Sequence, residues 1–353
     1  MENLLYRIYG DSLAVVMDAK SDRVSLLQRE ALEQFKETKE LNCSSVSSQS
    51  NSNDKIDISL LNYWAFKNKI PLSGHFELTS KCNLRCKHCY CIFKDKDTLN
   101  RENILRVIDD LADSGVFGLV LTGGEIFTRD DILDILKKFH SRGFLLRLNT
   151  NGTLIDESVV KELENFSNIY RFHISLYSAK EEIHDKITGS KGSFKKTLKS
   201  IHLLKEAGFN IRINCSLMKS NATSYKEIKS DIADKLDIPV HYDPIIFPKD
   251  NSEVDNLKEI FDDDMFEEFN NFIGYEKKDK KAKLCKAGFS FFAISEKGDI
   301  YPCLKMKKFY KSSLGNLQES SFQEIWNKKE PIKRVRESLN NKLRNCNICN
   351  LTI

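Results

Sequence analysis

The sequence predicts an α/β fold: a partial (β/α)6, TIM-like barrel over residues 71–270. A small α+β region over residues 1–70 precedes it and a smaller extension over residues 271–353 follows. Three observations predict this. Six short apolar segments alternate with amphipathic helical segments between residues 75 and 246. The first region lacks that alternation. The last is organised around cysteines rather than around hydrophobic period.

In the first region, Leu4–Tyr9, Leu13–Met17 and Arg23–Leu27 read as short strands separated by Gly10-Asp11 and Ser21-Asp22. Gln28–Thr38 reads as a helix. Asn42–Asn53, dominated by Ser and Asn, reads as a flexible linker. Ile56–Lys67 places Leu60, Leu61 and Trp64 on one helical face.

The barrel strands are His75–Thr79, Phe117–Thr122, Phe144–Asn149, Tyr170–Leu176, Asn210–Leu217 and Val240–Ile246. Between them lie helical faces, such as Ile104, Ile108 and Leu111, then Ile132, Ile135, Leu136 and Phe139. Ser193 is expected to cap a helix bearing Phe194, Leu198, Ile201 and Leu204, which Gly208 closes. Six βα units imply a parallel sheet with right-handed crossovers. Six are too few to close an eight-stranded barrel, so an open barrel with room for a large substrate is expected.

Basic and acidic residues number 55 and 51, a balance too even to point to nucleic acid. The run from Lys277 to Lys283 reads as a solvated linker. No apolar run reaches the roughly 18 residues that span a bilayer, and the first residues lack a signal-peptide pattern. The expectation is a cytoplasmic protein without a membrane partner. In a reducing compartment, clustered cysteines read as metal ligands rather than disulfides.

The decisive segment is Cys82-Asn83-Leu84-Arg85-Cys86-Lys87-His88-Cys89-Tyr90, directly after the first barrel strand. Three thiolates on one short loop hold three irons of a cubane cluster and leave the fourth open. A structural zinc site takes four protein ligands. With this Cys-x3-Cys-x2-Cys loop the chain resembles the radical S-adenosylmethionine (SAM) superfamily. The resemblance implies a [4Fe–4S] cluster on Cys82, Cys86 and Cys89, and SAM as cofactor. It implies reductive cleavage of SAM to a 5′-deoxyadenosyl radical that abstracts a hydrogen atom, with a flavodoxin or ferredoxin as reducing partner.

Later strand ends extend the resemblance. Thr122-Gly123-Gly124-Glu125 resembles the family motif that holds the amino group of SAM, so Gly123, Gly124 and Glu125 are expected in the SAM site. Asn149-Thr150-Asn151-Gly152 resembles the strand-end turn of the family, which adds Asn151. Ser175 resembles a serine that contacts the ribose or carboxylate. Arg212 and Asn214 share one strand face by the two-residue period and join the site if that face points inward. For each, a polar residue that merely caps a loop is the alternative.

Cys285, Cys303, Cys346 and Cys349 form a second set. Phe289–Ile294 and Ile300–Pro302 read as a hairpin turned at Lys297-Gly298-Asp299. The Cys-x12-Gly-x4-Cys spacing resembles SPASM, the auxiliary-cluster extension of peptide maturases. Only Asn350-Leu351-Thr352-Ile353 follow Cys349, so one auxiliary [4Fe–4S] cluster is expected, as in the shorter twitch form. Zinc on these four cysteines is the alternative.

Three cysteines remain. Cys43 lies in the Ser/Asn linker, and Cys91 flanks the cluster loop. Cys215 would be placed to return a hydrogen atom to a substrate radical, or would face the outer helices with Ile211 and Ile213 as an inert buried thiol. The stretch from Tyr177 to Phe194 and the first region, similar to a leader-peptide recognition domain, imply a ribosomally made precursor peptide as substrate. The product expected is a thioether, a carbon–carbon crosslink or an epimerised residue. A tetrapyrrole enzyme of haem biosynthesis is the alternative, a sulfatase-activating enzyme fits less well, and a non-catalytic iron–sulfur peptide-binding protein is the alternative from another class.

Overall fold

The computed structural model describes residues 4–9, 13–18, 23–28, 58–91, 98–246, 259–272, 285–308 and 313–342. An antiparallel sheet of β1 (Leu4–Tyr9), β2 (Leu13–Asp18) and β3 (Arg23–Gln28) comes first. Gln28 therefore ends a strand rather than starting a helix. The rest of that expected helix, the Ser/Asn linker with Cys43, and the run from Lys277 to Lys283 lie outside the described residues.

The centre is six parallel strands: β4 (Ser73–Thr79), β5 (Gly118–Gly123), β6 (Leu145–Thr150), β7 (Ile169–Ser175), β8 (Ile211–Ser216) and β9 (Val240–Asp243). Each pairs with the next in chain order, and the sheet does not close on itself. Alternation explains which residues point where. Leu119, Leu121, Leu146, Leu148, Phe172, Ile174, Ile211 and Ile213 are buried against the helices. Each such side chain contributes about 1.5–3 kcal/mol. The intervening His75, Thr122, Asn149, His173, Ser175, Arg212 and Asn214 line the barrel interior. Strand β9 stops at Asp243 rather than Ile246 because Pro244 has no N–H to continue the ladder.

The outer helices cap as sequence chemistry demands. Asn100 accepts a hydrogen bond from the Asn103 N–H at 2.9 Å to start helix Arg101–Asp113. Helix Ser193–Glu206 starts differently from expectation. Ser193 is its first residue, not its cap. The carboxylate of Asp185, from the preceding helix Glu181–Thr188, accepts from the Gly192 and Phe194 N–H groups and the Ser193 hydroxyl. One aspartate thus ties two helices together where a local serine cap would tie none.

The N-terminal sheet packs beneath the barrel, at the N-terminal ends of its strands. Tyr9 and Val15 bury against Leu61, Ala65, Leu72 and Phe117, and Arg7 donates to the Val116 carbonyl at 3.0 Å. The C-terminal extension instead joins the barrel wall. β10 (Phe291–Ile294) runs parallel to β4, followed outward by antiparallel β11 (Asp299–Tyr301) and β12 (Gly315–Asn316). Gly74 is opposite Phe292, whose ring lies 2.7 Å from where a Cβ would stand. Phe292 packs at an angle against Phe322 and Trp326, which stack on each other. The Trp326 indole N–H donates to the Lys69 carbonyl at 2.6 Å. No helix among the described residues is long and apolar enough to cross a membrane.

Candidate active site at the C-terminal end of the barrel

The segment after β4 folds as a loop held from two sides. On one side, the Gly124 and Glu125 N–H groups donate to the carbonyls of Thr79 and Lys81, both at 2.8 Å. On the other, the Arg85 and Lys87 N–H groups donate to the carbonyls of Thr188 and Ile187 at 3.0 and 2.9 Å. Those carbonyls belong to the last turn of helix Glu181–Thr188, where intrahelical partners run out. The loop therefore completes a helix terminus and is fixed by it.

This loop presents Cys82, Cys86 and Cys89 to one cavity of about 440 Å3 at the C-terminal strand ends. All three are half-buried and outside any disulfide. They do not converge on one ion position among the described residues, as mononuclear zinc would require. Thiols spread around a cavity end are the donor set of a polynuclear cluster. Burial pushes the Cys82 thiol up to about 11. Burial, then Cys89 and Cys82, push Cys86 higher still. An iron–sulfur cluster fits here because its metal charge reverses exactly this penalty on the thiolates.

The expected SAM-site residues separate into two kinds. Gly123, Gly124, Asn151, Ser175, Arg212 and Asn214 all line the cavity with the three cysteines. Glu125 does not line it. Its buried carboxylate accepts from the Asn151 N–H at 2.7 Å, the Thr150 hydroxyl at 2.9 Å and the Phe127 N–H at 3.1 Å. The expectation that Glu125 touches SAM is replaced by a positioning role, because protein donors occupy its oxygens. Asn151 is largely spent on positioning too. Its amide donates to Asn83 Oδ1 at 3.0 Å, and its oxygen accepts from the Thr153 N–H.

The glycines also prove to serve the loop. A Cβ on Gly123 would stand 2.3 Å from the Thr79 carbonyl oxygen, and one on Gly124 would stand 2.2 Å from that of Lys81. The close approach is between two stretches of this chain. Arg212 donates to Asn214 Oδ1 at 3.0 Å, and their strand face does point inward.

Of the two readings of Cys215, the geometry favours the buried thiol. It touches the cavity wall, but its side chain is fully buried in the core with Ile211 and Ile213, as alternation dictates. Asn221 Nδ2 lies 3.6 Å from its sulfur, and burial holds the thiol far above its ordinary range. An inert core thiol is what the geometry supports. The cysteine beside the cluster loop that lines the cavity is Cys91.

Of the second cysteine set, Cys285 is buried before β10 and Cys303 follows β11. The Met306 N–H points at the Cys303 sulfur at 3.3 Å. Cys346 and Cys349 lie outside the described residues. Four residues past Cys303, the Lys307 ammonium sits 2.6 Å from Glu77 and 3.2 Å from Glu296. Burial alone would pull its pKa down; the two carboxylates outweigh that and hold it above the usual lysine range. Sequence reading missed this contact because 230 residues separate Lys307 from Glu77. It also missed His75, His173 and His241, which line the cavity. Their signal was present: each falls on the polar alternate positions of an otherwise apolar strand.

His184 buttresses the loop from outside the cavity, stacked on Tyr177, whose N–H donates to His184 Nδ1 at 3.3 Å. That bond needs the neutral ring, and burial lowers the pKa to about 4. A histidine held neutral in the fold contributes full stability above its unfolded pKa near 6.5. The contribution falls as pH drops from there to about 4. The loss expected is about 3 kcal/mol. Urea midpoints at pH 7.5 and 4.5 should differ more in the wild type than in His184→Phe; equal differences would refute the assignment.

Comparison with known proteins agrees with this geometry. Residues 76–228 match the radical SAM superfamily, and residues 285–350 match the SPASM iron–sulfur cluster-binding domain. The antilisterial bacteriocin subtilosin biosynthesis protein AlbA of Bacillus subtilis is 32% identical over 276 residues, 73% of this chain and 60% of that protein. This chain therefore spans less than two-thirds of that relative's length. An AdoMet-dependent heme synthase of Methanosarcina barkeri is 26% identical, over 78% of this chain and 87% of that one. Among solved structures, Streptococcus suis SuiB bound to precursor peptide SuiA superposes with a TM-score of 0.66. It is 17% identical, and the match covers 95% of this chain and 90% of SuiB.

Proposed function

The chain belongs to the radical SAM superfamily and carries a SPASM domain, and from that premise we propose that it matures a ribosomally made precursor peptide. The observation that carries the reading is the placement of Cys82, Cys86 and Cys89 around one end of the strand-end cavity. The bacteriocin-biosynthesis relative and the peptide-bound structural neighbour support a peptide as substrate. The [4Fe–4S] cluster and SAM, when bound, supply the 5′-deoxyadenosyl radical that takes a hydrogen atom from the substrate.

The protein's part is position and exclusion of water. Gly123 and Gly124 let the cluster loop lie against β5, and Glu125 holds the Asn151 turn beside it. Ser175, Arg212 and Asn214 form the polar wall against which SAM is oriented. Cys285, Cys303, Cys346 and Cys349 hold one auxiliary cluster in this reading. The N-terminal sheet receives the leader segment of the peptide by strand addition. A flavodoxin or ferredoxin delivers the electron.

Anaerobic reconstitution with iron and sulfide, followed by SAM and dithionite, tests the reading through 5′-deoxyadenosine. Cys86→Ala is expected to lose about four irons per chain and to reduce 5′-deoxyadenosine to background. Iron-loaded wild type that releases none would leave a non-catalytic iron–sulfur protein. The heme synthase relative keeps a second reading in view. Turnover of a tetrapyrrole with loss of side-chain carbon, and no change in any peptide, would favour it.

A further inference from the structure

The cysteine loop has two faces of different chemistry. Cys82, Cys86 and Cys89 turn into the cavity. Lys81 precedes the first of them, and Arg85 and Lys87 flank the second. These three cations are exposed, and none of them lines the cavity. The end of helix Glu181–Thr188, to which the Arg85 and Lys87 N–H groups bond, adds more charge. Its last turn carries the exposed Lys186, and Lys191 stands exposed just past Gly189. A Cβ on Gly189 would lie 3.1 Å from the Arg85 carbonyl oxygen, so this turn and the loop form one surface.

The acids nearby are largely engaged. Glu181 pairs with Lys195 at 3.0 Å, and the Asp185 carboxylate holds the start of the next helix. Glu259 lies 3.7 Å from Lys87, and Glu182, one turn before Lys186, offsets one further charge. Among the described residues, no carboxylate lies within ion-pair distance of Lys81, Lys186 or Lys191. The whole chain is nearly balanced, with 55 basic and 51 acidic residues, so this face is a local excess of positive charge.

The cavity side of the loop is taken by SAM and substrate, and a cavity of about 440 Å3 admits no protein. An electron brought by a protein must therefore arrive at the outer face, where the loop's own chain separates solvent from the cysteines. We propose that Lys81, Arg85, Lys87, Lys186 and Lys191 form the docking face for a one-electron carrier protein that is acidic around its own redox centre. The carrier is oxidised by one electron and the cluster on Cys82, Cys86 and Cys89 is reduced by one; no bond forms or breaks and no proton moves. Clustered charge of one sign speeds encounter with a partner of the other and fixes its orientation, in small interfaces that salt weakens. The inference rests on the radical SAM reading above and adds where its electron enters.

The test is binding of flavodoxin, an acidic flavoprotein, to the full-length, cluster-loaded protein, read anaerobically by surface plasmon resonance. Kd is expected to rise about tenfold between about 0.05 and 0.3 M salt. At the lower salt, Lys186→Glu with Lys191→Glu should raise it about tenfold as well. The same double reversal at Lys137 and Lys161, exposed on helices Ile132–Ser141 and Glu157–Leu163, makes an equal change in net charge and should move Kd less than about twofold. Equal effects of the two double variants, or a Kd indifferent to salt, would overturn the proposal. Release of 5′-deoxyadenosine is followed separately with flavodoxin and with deazariboflavin, an uncharged photoreductant. An equal fall with both reductants in Lys186→Glu with Lys191→Glu would also overturn it, because the lysines would then serve the loop rather than a partner. Binding is measured apart from turnover, so this inference and the catalytic reading fail independently.

Discussion

Gly124→Ala is expected to strip the barrel of its cluster while leaving the barrel folded. The added Cβ would stand 2.2 Å from the Lys81 carbonyl oxygen, 2.7 Å from its carbon and 2.8 Å from the Ser80 oxygen. All three are backbone atoms, so no side chain can swing aside. Relief requires breaking the 2.8 Å bonds from Gly124 to Thr79 and from Glu125 to Lys81, and these fix one side of the cysteine loop. The local cost is at least about 1–3 kcal/mol, the range for overpacking that forces backbone to shift. The outer core over Leu119, Leu121 and Ile126 is untouched. Reconstituted Gly124→Ala should carry about four fewer irons per chain, with an unchanged far-ultraviolet circular dichroism spectrum. Full iron content with wild-type 5′-deoxyadenosine release would refute the account.

Lys307→Met should loosen the C-terminal extension from the barrel. It removes the ammonium that bridges Glu77, 3% exposed on its side chain, and Glu296. Removing one partner of a buried pair costs about 3–5 kcal/mol; the partial exposure of Lys307 places this case at the low end. The double variant Lys307→Met with Glu77→Gln should recover part of the loss, because the uncompensated charge is gone. Denaturant midpoints and the rate of proteolysis within residues 285–316 report the effect. A loss below about 1 kcal/mol would show the pair to be as weak as a surface bridge.

How far the sequence announced this structure depends on the range of each interaction. The βα alternation and the two faces of each strand were readable, since the two-residue period lies within one segment; which face points inward was not. The three loop cysteines were readable because their spacing is local. What failed was long-range. Ser193 fits a cap by sequence, yet Asp185 on another helix takes the position. Glu125 fits a ligand by motif, yet its own turn and the Thr150-Asn151 turn 25 residues away supply three donors that claim it. Cys215 was open to two readings until the outer helices showed which face was full.

The parallel pairing of β10 with β4 has a consequence for anyone who would treat the extension as a detachable module. The extension continues the sheet of the barrel rather than sitting beside it. Truncation before Cys285 would bare the backbone edge of β4 and uncover Phe76 and Leu78 to solvent at their margin. A long apolar edge is a template for pairing with another chain. Such a truncated protein should accumulate as aggregates rather than as a smaller soluble enzyme. Grafting the extension onto a different barrel should likewise require a glycine at the position of Gly74, to seat the ring of Phe292.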